Sequence, residues 1–348
     1  MQTTDVTETD QSSLVWAEGL TKLFPVSRGL LRRPTSFVHA VDQVSFQLAK
    51  GESLGLVGES GCGKTTIGKL LVKLLEPTSG RILFRVSTPA QSVSQNGRGE
   101  LMDVSSIKGR EVKSFRRQAQ MIFQDPYESM NPRRTIYDTV AEPLNVQGLG
   151  TGLDRIDRVG RLLELVGLTP SSAFLFRYPH ELSGGQRQRV AIARALVIDP
   201  SFVVADEPTS MLDVSIRTGI MSLMQDLAQR LGITYLYVTH DLAVARYMCH
   251  RIAVMYLGKI VEIAETEELL LNPQHPYTRA LLSAVPVPDP GYHREPVDIQ
   301  GDITVPVDPP SRCRFYDRCP MAAEVCRTNP HPPLEEKAPG HRAACYRV

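Results

Sequence analysis

The sequence predicts an α/β fold built on a parallel sheet. Two observations carry that expectation. The apolar runs SLGLVG (53–58), FVVA (202–205), TYLYV (234–238) and IAVMY (252–256) read as buried strands, and helical stretches separate them. Strands alternating with helices build parallel sheets. The first run also ends in a glycine-rich turn followed by KTTIGKLLVKLL (64–75), whose apolar residues recur at helical spacing until Pro77 and Gly80 close it.

The remaining segments follow in order. Residues 1–13 are polar and acidic and are expected to be disordered; they carry no basic and apolar leader pattern, so no signal peptide is read. From Leu14 to about Gln47, β-like runs surround a basic loop, VSRGLLRRPTS, and RILFRV (81–86) reads as a further strand. Residues 87–110 are rich in Ser, Gln and Gly and are expected as an exposed loop, and about 126–195 is helix-dominated. From about 286 the chain turns Pro-rich and then Cys-rich. No run approaches about 20 apolar residues, so a membrane span is not expected. A formal net charge of +1 supplies no basic field, and nucleic acid is not expected as a partner.

Chemistry enters with GESGCGKT, which fits G-x-x-x-x-G-K-[ST] between a strand and a helix. Gly58, Glu59, Ser60, Gly61, Cys62, Gly63, Lys64, Thr65 and Thr66 form the expected phosphate cradle. Its backbone N–H groups and the helix N-terminus face an anion. Lys64 would reach the β- and γ-phosphates of ATP, and the Thr65 hydroxyl would face Mg²⁺. Cys62 reads as a small residue tolerated in a variable position. FVVADE ends a buried strand in two acids: Asp206 suits Mg²⁺, and Glu207 suits polarisation of an attacking water. LSGGQ (182–186) offers a second glycine-rich anion cradle at the start of a helix.

With LSGGQ standing between those two motifs, the chain resembles the ATP-binding cassette proteins, the ATPase subunits of ABC transporters. The resemblance covers about residues 14–285. It implies a nucleotide-binding domain over 14–265, with a RecA-like parallel core, an antiparallel β part and the helical subdomain, followed by an extension over 266–348 with a cysteine cluster. Phe24 matches the residue that stacks on adenine, and Gln124 the glutamine that contacts Mg²⁺ and senses membrane subunits. Leu212 and Asp213 match the D-loop, and His240 a γ-phosphate contact. Lys64, Gln124, Glu207 and His240 are then the expected catalytic set. Ser183, Gly184, Gly185 and Gln186 would act on ATP held by a partner cassette.

QDPYESMNPRRTI (124–136), HPYTRALLSAVP (275–286) and the Cys-bearing tail resemble the peptide-importer subset, and within it the F-type ATPase subunit. That resemblance implies a D-type partner ATPase in a heterodimer, two membrane permeases, and a solute-binding protein outside the membrane. The chain would then sit peripherally on the cytoplasmic face of the inner membrane. Pro126, Tyr127 and Glu142 are the candidates for touching a permease helix. Import of nickel or another small solute is the alternative within transport. The alternative class is a soluble mechanical ATPase acting on nucleic acid or ribosomes. Such proteins usually fuse two cassettes or insert a coiled coil, and this chain does neither.

Cys313, Cys319, Cys326 and Cys345 are spaced x5, x6 and x18. Four thiolates satisfy tetrahedral zinc or an iron–sulfur cubane, and the lack of close C-x₂₋₄-C pairs favours the wider cluster. Some importers resembling this chain carry a [4Fe–4S] cluster in this tail, so that cofactor is the expectation, with zinc or free thiols as alternatives. Cys249 lies outside the group and reads as a structural thiol.

Overall fold

The computed structural model describes residues 12–26, 35–86, 100–285, 299, 301 and 304–348. The expectations for 1–11, 27–34, 87–99 and 286–298 lie outside the described residues. Two long strands, β1 (Ser13–Pro25) and β2 (Phe37–Ala49), pair antiparallel, so residue 13 belongs to a strand and not to a disordered arm. β3 (Ser53–Val57) is buried at all five positions, as a strand covered on both faces must be. It feeds the glycine-rich turn and α1 (Lys64–Leu71). The apolar period runs on to residue 75, but the helix stops at Leu71, where Val72 leaves helical geometry and Lys73 adopts φ +56°.

β4 (Ser79–Arg85) and β5 (Leu101–Asp103) complete a four-stranded sheet ordered β2-β1-β4-β5. β5 corrects the reading of 87–110 as loop throughout, because pairing with β4 satisfies its backbone. α2 (Arg110–Gln118) then leads into β6 (Ala119–Ile122). The helix-rich middle follows: α3 (Ile136–Gln147), α4 (Gly152–Leu165) and α5 (Gly184–Leu196). Each starts on a capping box, with Thr135, Thr151 or Ser183 at the N-cap. Val140, Leu144, Leu163 and Val190 pack their shared core.

β7 (Phe202–Asp206), α6 (Val214–Leu231), β8 (Thr234–Thr239), α7 (Leu242–Met248) and β9 (Arg251–Tyr256) finish the parallel part, ordered β9-β3-β8-β7-β6. The chain then reverses into β10 (Lys259–Glu265), α8 (Thr266–Leu271) and α9 (Pro276–Ser283). After α10 (Glu324–Thr328), β11 (Glu335–Ala338) and β12 (His341–Ala343) add to the free edge of β10, giving an eight-stranded mixed sheet. The C-terminal segment is therefore welded to the central sheet. Its core holds Tyr256, Tyr277 and Phe315, with ring centroids 4.6–5.4 Å apart. Beneath it the fully buried Glu262 accepts from the N–H groups of Gln274 and His275 at 2.6 and 3.0 Å, and its Oε1 lies 2.7 Å from His341 Nε2. Among the described residues no helix is long and apolar enough to cross a membrane.

Candidate functional site

In an open parallel sheet, ligands gather where the strands end at their carboxyl side. β3, β7 and β8 end at one such edge, and the residues after them supply the phosphate loop, Glu207 and His240. A cavity of about 590 Å³ opens there. Of the expected residues, Gly58, Glu59, Ser60, Gly61, Gly63, Lys64, Thr65, Thr66, Gln124, Glu207 and His240 line it, joined by Ala40 and Leu281.

The glycines are demanded by close approach. Gly63 has φ +111°, and a Cβ there would lie 1.9 Å from the Ala40 carbonyl oxygen. A Cβ on Gly58 would lie 2.2 Å from the Met255 carbonyl oxygen. Any side chain would push the loop off the strands that shape it. Lys64 Nζ donates to the carbonyls of Gly58 and Glu59 at 2.7 and 2.8 Å, which holds a cation at the cradle. Cys62 is buried, with its sulfur 3.8 Å from Lys64 Nζ, and burial pushes its thiol up; it does not line the cavity.

The two acids divide their surroundings. Asp206 is buried and accepts from the Thr65 hydroxyl at 3.0 Å. Burial raises its carboxyl above the usual range, the Thr65 hydrogen bond opposes this, and neighbouring Glu207 adds to the rise. Such an acid gains most from a divalent cation beside it, so Thr65 and Asp206 fit a Mg²⁺ role. Glu207 takes φ +45°, an uncommon conformation for a non-glycine residue, and its N–H is held by the Val238 carbonyl at 2.9 Å. Its Oε2 accepts from Gln124 Nε2 at 3.1 Å, and its Oε1 lies 3.0 Å from His240 Nδ1. Three residues separated by up to 116 positions thus meet at one carboxylate, on the rim of the phosphate cradle.

Other expected residues lie apart from this cavity. Ser183 Oγ accepts from the Gln186 N–H at 3.3 Å, and Gln186 Oε1 from the Ser183 N–H at 3.0 Å. The signature's polar side chains are therefore spent on capping α5, while its glycines form the start of the helix. A Cβ on Gly185 would sit 2.7 Å from Ile216 Cγ2, so α6 presses directly on the turn. Leu212 lies against Gly184, and Asp213 is the N-cap of α6. Phe24 is half-buried near the end of β1 and is not among the cavity residues. Sequence reasoning missed Ala40 and Leu281 in the lining, and Tyr277, whose hydroxyl accepts from the Glu59 N–H at 3.0 Å. HPYTRALL marked that region, but nothing in the string showed that it reaches the phosphate loop.

The six cysteines are free thiols. Cys249 is buried, and its sulfur lies 3.0 Å from where a Cβ on Gly55 of β3 would sit, as a packing residue would. Cys313, Cys326 and Cys345 are buried and Cys319 half-buried. Burial pushes the Cys313 thiol up to about 12, and Cys326, Cys345 and Cys319 each add to the rise. Burial likewise raises Cys319, with Cys345 and Cys326 contributing. The Cys313 N–H donates to the Cys326 carbonyl at 3.2 Å, and Cys319 packs against the core that these two share. Among the described residues, however, no group of three or more His, Cys, Asp or Glu side chains is placed to hold a metal ion. The expected metal site of Cys313, Cys319, Cys326 and Cys345 is therefore not formed here, for an iron–sulfur cluster or for zinc.

Comparison with known proteins agrees with this geometry. A sequence model of the ABC transporter family matches residues 41–210, and one of the oligopeptide/dipeptide transporter C-terminal region matches 261–326. The chain is 44% identical over 344 residues to the oligopeptide transport ATP-binding protein AppF of Bacillus subtilis, covering 98% of this chain and 99% of that protein. It is 43% identical over 339 residues to the dipeptide transport ATP-binding protein DppF of Haemophilus influenzae, covering 97% and 98%. Among solved structures it is similar to the ATP-binding cassette MJ0796, dimeric and bound to ADP and Pi. That match has 28% identity and a TM-score of 0.60, covering 73% of this chain and 99% of that one.

Proposed function

This chain belongs to the ABC transporter ATP-binding family, and on that premise we propose how it works as the ATPase subunit of a peptide importer. Glu207 held between Gln124 and His240, on the rim of the phosphate cradle, carries the proposal. Lys64 and the loop N–H groups bind the phosphates, and Thr65, Gln124 and Asp206 would hold Mg²⁺, which would neutralise charge on the phosphates. Glu207 polarises the attacking water, His240 contacts the γ-phosphate, and Gln124 links the site to the membrane subunits. Phe24 stacks on adenine. Ser183, Gly184, Gly185 and Gln186 stand outside the cavity because they serve the nucleotide of a second cassette. The dimeric state of the similar cassette supports that arrangement. The partner is a D-type ATPase, and the assembly sits under two permeases fed by a solute-binding protein.

The coupling surface surrounds Tyr127. This ring is 58% exposed, with the Arg187 guanidinium 3.8 Å from its centre. Behind it Glu142 pairs with Arg134 at 2.8 Å and Arg194 at 3.4 Å. Pro126, Tyr127 and Glu142 are the residues proposed to touch a permease helix. The domain division proposed with it is a cassette over 14–265, with its helical subdomain about 126–195, and an extension over 266–348.

A [4Fe–4S] cluster in the tail is the reading that the spacing of its four cysteines supports. Cys313, Cys319, Cys326 and Cys345 would hold it, and it would staple the tail. Iron and acid-labile sulfide measured on anaerobically purified protein test this; metal-free protein would remove it. The transport reading is tested on the assembled complex in vesicles. ATPase stimulation by di- or oligopeptides is expected, and stimulation by nickel alone, or recovery of nucleic acid in place of permeases, would overturn it.

A further inference from the structure

The C-terminal segment touches the phosphate loop at one residue from two directions. Tyr277 of α9 is fully buried, and its hydroxyl accepts from the Glu59 N–H at 3.0 Å. Arg318 ends a short turn (Tyr316–Arg318) in the cysteine-bearing tail. Its two terminal nitrogens grip the Glu59 carboxylate, with Nη1 to Oε2 at 2.8 Å and Nη2 to Oε1 at 3.1 Å. This is the two-point fork in which an arginine–carboxylate pair is strongest and most directional. Both side chains are largely withdrawn from solvent, at 11% and 18% exposure. Arg318 is seated in turn by Tyr256, whose hydroxyl lies 3.4 Å away and whose ring centre lies 5.7 Å away. Tyr256 and Tyr277 belong to the aromatic core shared with Phe315, so the grip is rigid at its base.

Glu59 sits where a carboxylate is least welcome. It lines the cavity that receives a polyanion, and its carbonyl accepts from Lys64 Nζ at 2.8 Å. An unpaired carboxylate there would repel phosphates and compete for the lysine. Arg318 compensates that charge with its own and pins the residue between Gly58 and Ser60. The contact spans 259 positions, so it joins the ends of the chain and not neighbours in a helix.

We propose that Arg318 is a positioning residue of the nucleotide site, through which the folded C-terminal extension sets the affinity of the phosphate loop for MgATP. The proposal rests on the loop being the ATP site, and the test separates the two. MgATP affinity is measured on the full chain, and steady-state hydrolysis on the assembled transporter, carrying Arg318→Met, Glu59→Gln, both together, Arg318→Lys, or Lys64→Ala. Arg318→Met is expected to weaken MgATP binding by about tenfold or more, because a partly buried carboxylate is orphaned beside the ligand. KM rises with it while kcat at saturating ATP stays within about twofold, since Arg318 does not touch the reacting atoms. Adding Glu59→Gln removes the orphaned charge and is expected to restore affinity to within about threefold of the parent. Arg318→Lys keeps the charge without the fork and shows a smaller loss, which gives a reading if Arg318→Met does not fold. Parental affinity in Arg318→Met, a fall in kcat with unchanged KM, or a double variant as weak as the single one would each overturn the proposal. If Lys64→Ala binds MgATP like the parent, the ATP-site reading itself has failed.

Discussion

Replacing Glu207 by glutamine separates binding from chemistry at this site. The substitution keeps the shape of a side chain that is 16% exposed and held from both sides. The amide oxygen still accepts from Gln124, now 3.1 Å from the carboxylate. The amide nitrogen turns towards His240 Nδ1, now 3.0 Å from the other oxygen, and His240 follows by taking the tautomer that accepts there. The strained backbone at φ +45° is untouched, because the change lies beyond Cγ. Nucleotide affinity should therefore stay within a few-fold of the parent. Polarisation of the water is lost, and general-base assistance is worth about 10²–10⁴ in rate, or about 2.7–5.5 kcal/mol of barrier. The assay is phosphate release in a single turnover of the assembled transporter, read beside binding of a fluorescent ATP analogue. Turnover within threefold of the parent would remove Glu207 from the role assigned to it. A parallel loss of binding would show that the carboxylate mainly shapes the cavity.

Two further outcomes follow from displaced acidities. The native state raises the Asp206 carboxyl above its ordinary value, so it binds the proton more tightly than the unfolded chain does. The ionised group then costs stability, increasingly as pH climbs from the unfolded pKa through the folded one. Asp206→Asn, which keeps an acceptor for Thr65, should melt higher than the parent without nucleotide and gain less from MgATP; a lower melting temperature in the nucleotide-free state would contradict this. His275 and His331 are lowered by burial to about 4 and about 3, so their neutral forms stabilise the fold above pH 6.5 and that stability is lost as pH falls towards those values. His341 works the other way: hydrogen bonding to Glu262 raises it, so its contribution is full below pH 6.5 and fades as pH rises through its folded value. Between pH 6.5 and 5 the His331 effect alone amounts to about 1.6 kcal/mol. His331→Asn retains an acceptor for the Arg314 N–H and should flatten the fall in melting temperature over that range; an unchanged pH slope would exclude His331 as its source.

What could be read from the string was what the chain arranges locally. GESGCGKT needs only its own glycines and the strand and helix beside it, and each feature leaves a mark within eight residues. Ser183 and Gln186 form a capping box three residues apart, so the start of α5 was legible for the same reason. The apolar runs of β3, β7 and β8 are buried at every position, and continuous burial writes itself as continuous apolarity. Legibility failed where pairing depends on a distant partner. EEKA and HRA carry no strand signal, yet β11 and β12 form because β10 leaves an edge whose backbone must be satisfied. The helix α1 stops four residues before its apolar period does, since Lys73 turns to bond the Ser105 carbonyl and Glu76. The Arg318–Glu59 pair is the extreme case. Neither residue is unusual in its own segment, and only the closed sheet brings them within 3.1 Å. The same closure places α9 in the cavity wall through Leu281 and sets Arg318 of the tail on the Glu59 carboxylate, two contacts that the string does not mark.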